Sequence, residues 1–176
     1  MRSILLLIAL SAALSAVRAA EPTPPAPVPS APASWPLARS AQEQTLLRYY
    51  AAVNEGNAAA AVTELAAEFH SDAAFPGGKN SDRAGFKDFL TLLRTAFPDA
   101  KIGVLEFISE GDTTICRYRF TGTHRAKFLN LRPTRKTATV TGVDIWRFQA
   151  GHLVALQGYF DSLGLLVQLG LVPEVK

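Results

Sequence analysis

Cysteine is almost absent from this chain of 176 residues, in which Cys116 stands alone. A single cysteine cannot form an intramolecular disulfide, so we expect packing alone to stabilise the core. Cys116 lies in DTTICRYRF, an alternating stretch that predicts a strand. A nucleophilic thiol would need a neighbouring base and an exposed, electropositive setting. Because nothing local to Cys116 supplies both, we interpret it as a buried or half-buried structural thiol.

Several sequence patterns that carry known chemistry are also missing. The chain has no histidine–carboxylate spacing typical of a metal site, no glycine-rich phosphate loop and no serine nucleophile elbow. We therefore predict neither a metal ion nor a cofactor. The net charge of +3 comes partly from basic residues clustered at 124–137. These fall in one connecting loop without a recognisable binding module, which favours a solvated loop and no nucleic-acid partner.

An apolar run opens the chain but is shorter than a membrane span. Residues 1–20 combine Arg2, an apolar run from Ile4 to Leu14 and then small residues, the pattern of a secretory signal peptide. The run falls short of the ~20 residues that a transmembrane helix needs, and a retained N-terminal anchor is the alternative. We expect cleavage near Ala19 or Ala20, a periplasmic or secreted protein, and no stable membrane span after cleavage.

Proline is concentrated in one segment, since seven of the eleven prolines lie in residues 21–36, EPTPPAPVPSAPASWP. Proline at this density cannot join a packed core and favours extended, semi-rigid polyproline geometry. We predict that residues 21–36 are a linker and that residues 37–176 form one domain.

The first part of this domain has helical periodicity. Ser40 can cap a first helix that ends at the sequence NEG, residues 54–56, and Asn57 can cap a second, alanine-rich helix reaching about Ala67. A short extended piece and a loop with Pro76, Gly77 and Gly78 follow. Residues 81–99, SDRAGFKDFLTLLRTAFPD, carry the apolar stripe of a strong third helix.

Beyond residue 100 the periodicity changes from 3.6 to 2. The sequence KIGVLEFISEGDTTICRYRFTGTH predicts a hairpin that turns at residues 110–112, and RKTATVTGVDIWRFQAGHLVALQGYF predicts a second that turns at residues 149–151. Helices followed by antiparallel strands indicate an α+β domain with helices on one face of the sheet.

One carboxylate lies where the last predicted strand passes into a short apolar helix. This residue, Asp161, is a natural N-cap because its side chain can accept from the first helical N–H groups. Aspartate also performs general acid–base work once an apolar cavity raises its pKa. Alternation places Gln157 and Tyr159 on the same strand face, so both would line any pocket that Asp161 faces.

A second carboxylate, Asp144, lies inside the preceding strand on the same face as Trp146. A carboxylate inside a strand needs a partner, and we favour a structural ion pair with Arg119 or Arg147. The alternative is a chemical role, in which Asp144 contacts the substrate. Trp146 suits a pocket wall and ordinary core equally. Tyr50, on the inner stripe of the first helix, is either pocket lining or core.

Three segments of the chain resemble those of the SnoaL-like polyketide cyclase or ester cyclase family: GFKDFLTLLRTAFPD, GTHRAKFLNLRPTRKTATVTGVDIWRF and YFDSLGLLVQLG. The resemblance runs from roughly Ala41 to Gly170. It implies the cone-shaped α+β fold shared with nuclear transport factor two, ketosteroid isomerase and scytalone dehydratase. In this fold, three N-terminal helices pack on a curved antiparallel sheet around an apolar pocket. Members often pair through their sheets, so the resemblance also implies a homodimer.

The resemblance further implies a chemistry and its residues. The characterised cyclases close a ring by intramolecular aldol condensation without metal or cofactor, and their catalytic carboxylate lies in the tract that matches Asp161. The family motif also retains a histidine at His124, which could orient or protonate a substrate oxygen. We therefore expect acid–base chemistry on a small apolar carbonyl compound, with Asp161 as general acid and base. The alternatives are a non-catalytic periplasmic protein that binds an apolar metabolite, and an isomerase or hydrolase on the same fold.

Overall fold

The computed structural model describes residues 40–72 and 81–173, so the predicted signal peptide, the linker and the loop at residues 76–78 lie outside the described residues. The described part has four α-helices and six strands. In chain order these are α1 (Ala41–Glu55), α2 (Ala58–Ala61), β1 (Leu65–Ser71), β2 (Ser81–Asp82), α3 (Arg83–Ala96), β3 (Lys101–Glu110), β4 (Thr113–Thr123), β5 (Thr137–Gln149), β6 (His152–Phe160) and α4 (Ser162–Gln168).

The six strands form one open, curved sheet in the order β2-β1-β6-β5-β4-β3. Helices α1 and α3 contribute the apolar side chains that pack on the inner face of this sheet, so the molecule has the predicted cone-shaped α+β fold. The short helix predicted after the last strand is present as α4. One feature differs from the predicted antiparallel sheet: β1 pairs in parallel with β6, which makes the sheet mixed.

The predicted helix starts are confirmed by side-chain caps. The hydroxyl of Ser40 accepts from the backbone N–H of Glu43 at 3.2 Å, and α1 ends at Gly56 with a φ of 76°. Asp82 caps α3 by accepting from the N–H of Gly85 at 2.8 Å. These contacts fix where the two longest helices begin.

The second helix is much shorter than the sequence predicts. It ends at Ala61 instead of about Ala67, a 3-10 turn covers Val62–Glu64, and Leu65 opens strand β1. Leu65 and Phe69 are buried in the core from this strand. Pairing with β6 and this burial outweigh the helical propensity of the alanine-rich run, because propensity is a weak prior against tertiary contacts.

Both predicted hairpins are confirmed. β3 and β4 are joined through Gly111, and β5 and β6 are joined through Ala150 and Gly151, all three with positive φ.

The loop at residues 124–137 exposes Arg125, Lys127 and other basic side chains, as the sequence predicts. No helix in residues 40–72 and 81–173 is long and apolar enough to cross a membrane.

A β-bulge in β6 reverses the predicted faces of this strand. Arg147 pairs with Ala155 but Phe148 pairs with Leu153, so Val154 is an extra residue opposite β5. One inserted residue moves every following side chain to the opposite face. After the bulge, Leu156 and Gly158 are buried and Phe160 reaches the inner face, whereas Gln157 and Tyr159 are exposed.

Candidate active site

An apolar cavity lies between the helices and the inner face of the sheet, and we call it the cone cavity. Its volume is about 80 Å³. Aliphatic and aromatic side chains form most of its wall: Phe86, Phe89, Leu90, Leu93, Phe97, Ile102, Phe120, Phe128, Leu156, Phe160 and Leu165. The polar residues on the wall are few, namely Tyr49, Tyr50, Tyr118 and Asp144. An apolar wall with few polar groups is typical of a small-molecule site.

Asp144 is the one carboxylate among the lining residues of the cone cavity. Its side chain is almost buried, with 9% of its surface exposed. The hydroxyl of Tyr50 donates to Oδ2 of Asp144 at 2.7 Å, and Nε1 of Trp146 donates to the Tyr50 oxygen at 3.0 Å. Within the described residues, the other carboxylate oxygen, Oδ1, has no hydrogen-bond partner. This oxygen is therefore available to a molecule in the cavity.

Burial changes the acidity of this carboxyl group. It raises the pKa of Asp144 from 3.8 to about 7, and the hydrogen bond from Tyr50 opposes part of this rise because it stabilises the carboxylate. Burial also raises the pKa of the Cys116 thiol beside it, so this buried cysteine stays protonated, in agreement with a structural role. A carboxyl group with a pKa near 7 can both accept and donate a proton at neutral pH.

Strand alternation and helix periodicity bring this group together. Asp144 and Trp146 lie on the inner face of β5, two residues apart. Tyr50 reaches them from the buried stripe of α1. Trp146 is fully buried and packs edge-on against Tyr49 with ring centroids 4.9 Å apart, so it is core and does not line the cavity.

The predicted ion pair of Asp144 is wrong. Arg147 lies on the outer face, where its guanidinium is 3.6 Å from Asp112 and donates to the Thr113 hydroxyl at 2.8 Å. Arg119 is exposed on the same outer face. Side chains an odd number of positions apart on a strand point to opposite faces, and Arg147 is three residues from Asp144. Arg119 pairs with Thr141, which is also three residues from Asp144 and shares the face of Arg119. Neither arginine can therefore reach a carboxylate inside the cone.

The structure does not place Asp161 in the cone cavity. Its side chain is exposed and caps α4, where Oδ1 accepts from the N–H of Gly164 at 2.7 Å. Gln157 is exposed, and Tyr159 has 54% of its surface exposed. The bulge at Val154 is the physical reason, because it turns all three side chains away from the interior.

His124 is buried but is not on the cavity wall either. Its ring stacks on Phe97 with centroids 5.1 Å apart, its Nδ1 lies 3.5 Å from the Thr134 hydroxyl, and its Nε2 has no partner within the described residues. Burial lowers the pKa of His124, which keeps the ring neutral. His124 directly follows the end of β4, and it is eight residues beyond Cys116, which pairs with Asp144. Eight residues of strand span roughly 25 Å, so His124 and Asp144 do not form a catalytic pair.

Tyr118 was not predicted from the sequence as a site residue, and neither was Gly142, which makes room for its ring. Tyr118 lines the cavity, and it pairs across the strands with Gly142. The signal was present, because Cys116, Tyr118 and Phe120 alternate on one face of β4 and a glycine follows at the matching place on β5. The described residues contain no cluster of three or more histidine, cysteine, aspartate or glutamate side chains that could hold a metal ion.

These features define a cone-shaped α+β protein with a carboxylate in an apolar cavity. The sequence model of the SnoaL-like polyketide cyclase family matches residues 43–169. The chain therefore belongs to the SnoaL-like polyketide cyclase family. A comparison with curated proteins gave no match.

Solved structures with this fold include TsrD from Streptomyces laurentii, with a TM-score of 0.68 at 23% identity, covering 78% of this chain and 100% of that one. IdmH from Streptomyces antibioticus, provisionally named a polyketide cyclase, has a TM-score of 0.64 at 24% identity and covers 73% and 98%. A protein from Acidithiobacillus ferrooxidans, with the same provisional name, has a TM-score of 0.64 at 26% identity and covers 76% and 96%.

Proposed function

We propose that this protein is a cofactor-free acid–base catalyst for a small, largely apolar carbonyl compound, and that Asp144 is its proton-transfer group. The observation that carries this proposal is a buried carboxyl group, with a pKa of about 7, on the wall of an apolar cavity. The chemistry agrees with the family's cyclases, but Asp144 takes the role that the sequence motif gave to Asp161.

The proposed reaction is an intramolecular aldol closure. The Asp144 carboxylate takes a proton from the carbon next to a carbonyl group, which leaves an enolate. The enolate carbon then attacks a second carbonyl carbon of the same molecule and forms the new carbon–carbon bond. The resulting alkoxide takes the proton back from the Asp144 carboxyl group, so no net proton is gained or lost.

Tyr50 holds Asp144 in place for this chemistry. Its hydroxyl donates to Oδ2 and is itself fixed by Trp146, so the carboxyl group has one restrained oxygen and one free oxygen. A restrained base with an open Oδ1 is oriented before the substrate arrives, which reduces the entropic cost of reaching the reactive geometry.

The volume of the cavity limits the reacting part of the substrate. A cavity of about 80 Å³ is smaller than the roughly 150 Å³ cavity that encloses benzene. We therefore propose that only the carbonyl group and its neighbouring carbon, a unit smaller than a six-membered ring, enter the cone cavity, while the rest of the substrate stays at its mouth.

Proton exchange tests this proposal without knowledge of the natural substrate. The probe is cyclohexanone in D₂O, and NMR measures the rate at which its α-protons exchange for deuterium. The wild type should accelerate exchange, and the rate should rise as the pH passes through about 7 because the carboxylate is the active form. Asp144→Asn should reduce this acceleration to background. Asp161→Asn, which changes the exposed carboxylate, is the matched control and should exchange at the wild-type rate.

Equal acceleration by wild type and Asp144→Asn, or loss of exchange in Asp161→Asn alone, would reject Asp144 as the base. The second candidate function is then a non-catalytic protein that binds an apolar metabolite, which the mainly aliphatic and aromatic wall favours. Binding of cyclohexanone without exchange in the wild type would support this second candidate.

We also propose that the protein works outside the cytoplasm as a homodimer. Export rests on residues 1–20 of the sequence. The dimer rests on an apolar row across the outer sheet face, where Ile108 pairs with Ile115 and Ile115 pairs with Ile145. Ile108 has 57% of its surface exposed in the single chain, and a partner would cover it.

A further inference from the structure

The inner wall of β5 has one position where a side chain cannot fit. A Cβ atom added at Gly142 would lie 2.5 Å from both Cζ and the hydroxyl oxygen of Tyr118, and 2.9 Å from the backbone oxygen of Tyr159. Such distances are far below van der Waals contact. The end of the Tyr118 ring therefore occupies the space that a side chain at residue 142 would take.

The hydroxyl group held in this space has no protein partner. Tyr118 lines the cone cavity, yet within the described residues its oxygen makes no hydrogen bond. Tyr50 of α1, in contrast, already donates to the Asp144 carboxylate and accepts from Trp146. A phenol hydroxyl that lines an apolar cavity without a partner is available to a ligand oxygen.

The strand register sets the spacing between this hydroxyl and Asp144. Gly142, directly opposite Tyr118, precedes Asp144 by two residues on the same face of β5. Two residues of strand span about 7 Å. A carbonyl unit of a substrate can bridge such a spacing, with its oxygen at Tyr118 and its neighbouring carbon at Asp144.

The electrostatics of the site keep this group a donor. Burial, together with the negative charge of Asp144, raises the pKa of Tyr118 well above the usual range, so the hydroxyl stays protonated. A fixed neutral donor in a cavity with little water stabilises negative charge that develops on a carbonyl oxygen.

We propose that Tyr118 donates the hydrogen bond to the substrate's carbonyl oxygen, and that Gly142 positions it by leaving room for its hydroxyl. This assignment rests on the proposed function, because it places the donor and the base at the two ends of one enolising carbonyl unit. It also defines the substrate class: the compound presents a ketone or aldehyde oxygen to β4 and an acidic carbon to Asp144.

Ligand preference tests the donor without requiring turnover. The probes are cyclohexanone and methylenecyclohexane, which have the same ring but carry an oxygen or a CH₂ group at the tested position. Their dissociation constants are measured by NMR titration of the full chain. The wild type should prefer the ketone, and Tyr118→Phe should reduce this preference by roughly 2- to 10-fold, the value of one hydrogen bond. The affinity for methylenecyclohexane should stay unchanged.

Three further variants separate position from chemistry. Gly142→Ala keeps the hydroxyl but displaces it, so it should lose the ketone preference as Tyr118→Phe does, and the double variant should lose no more than either. Tyr159→Phe, on the outer face, is the matched control and should behave as the wild type. Loss of the preference in Tyr49→Phe but not in Tyr118→Phe would assign the donor to the other cavity tyrosine and overturn the proposal.

The exchange assay separates this inference from the proposed function. Tyr118→Phe should slow α-proton exchange by a lower kcat, whereas Asp144→Asn should abolish exchange and keep the ketone preference. If Asp144→Asn abolishes exchange but Tyr118→Phe leaves both readouts unchanged, the proposed function stands and this inference is wrong. If the wild type binds neither probe, or binds both equally, the donor assignment is also wrong.

Discussion

At the scale of single residues, the site depends on a chain of three side chains. Trp146 donates to Tyr50, and Tyr50 donates to Asp144, so a core indole determines where a cavity carboxyl group points. Asp144 contrasts with Asp99, because burial raises the pKa of Asp144 whereas hydrogen bonds from Thr123 lower the pKa of the exposed Asp99. Burial without a cationic partner is the cause of this difference.

The raised pKa makes stability depend on pH. Between pH 3.8 and about 7 the folded protein keeps a proton on Asp144 that the unfolded chain releases, so the free energy of unfolding falls as the pH rises through this window. Asp144→Asn removes this dependence. The stability of this variant relative to wild type should rise by about 4 kcal/mol between pH 4 and pH 8, at ~1.4 kcal/mol per pH unit. Urea unfolding at several pH values measures it, and parallel pH profiles for the two proteins would contradict the prediction.

Removal of the Tyr50 hydroxyl should shift the same equilibrium in a known direction. The hydrogen bond from Tyr50 lowers the pKa of Asp144 because it stabilises the carboxylate. Tyr50→Phe should therefore raise the pKa of Asp144 above the wild-type value, and the pH profile of α-proton exchange should move to higher pH. Tyr159→Phe provides the control. An unchanged or lowered pKa in Tyr50→Phe would show that this hydroxyl does not stabilise the charged form.

The inner position of Asp144 could be predicted from the sequence, but its partner was predicted wrongly. Alternation already placed Asp144 and Trp146 on one face of the strand and Arg147 on the other face. This placement excludes Arg147 as the partner of Asp144. The true partner, Tyr50, is 94 residues away along the chain and reaches Asp144 only through the packing of α1 on the sheet. Sequence periodicity predicts which face a residue occupies, but it does not predict which residue of another element meets it.

At the scale of elements, the bulge in β6 decides which carboxylate belongs to the cavity. Without an extra residue at Val154, the alternation from Leu153 would carry Gln157, Tyr159 and Asp161 to the inside, as the sequence analysis assumed. The bulge reverses these faces and leaves Asp161 at the start of α4. No residue in this stretch signals a bulge, since residues 152–157 contain neither glycine nor proline.

The role of Asp161 as a helix cap gives a prediction for α4. Asp161→Ala removes the acceptor for the N–H of Gly164 and should lower the free energy of unfolding by about 1 kcal/mol, because α4 supplies the buried Leu165. Asp161→Ser keeps a capping oxygen and should recover most of this loss. Chemical denaturation measures both variants. A loss of exchange activity with unchanged stability in Asp161→Ala would contradict the capping role.

At the scale of the whole molecule, the outer sheet face is the surface that the proposed dimer would cover. Ile108→Lys places a charge on the exposed apolar row and should convert a dimer to a monomer in analytical ultracentrifugation. Leu163→Lys is the matched control, since Leu163 on α4 is exposed to the same 57% but lies away from this row. A wild type that is monomeric at all concentrations, or a control that dissociates as readily, would contradict a dimer through this face.

The most direct measurement of the central claim is the titration of Asp144 itself. The carboxyl carbons of aspartates are labelled with ¹³C, and NMR follows their chemical shifts from pH 3 to pH 9, with Asp144→Asn used to assign the signal. The burial of this group in the cone cavity predicts a pKa of about 7. A titration midpoint near 3.8, the ordinary value for aspartate, would show that water reaches the carboxyl group freely and would contradict its role as the acid and base of this protein.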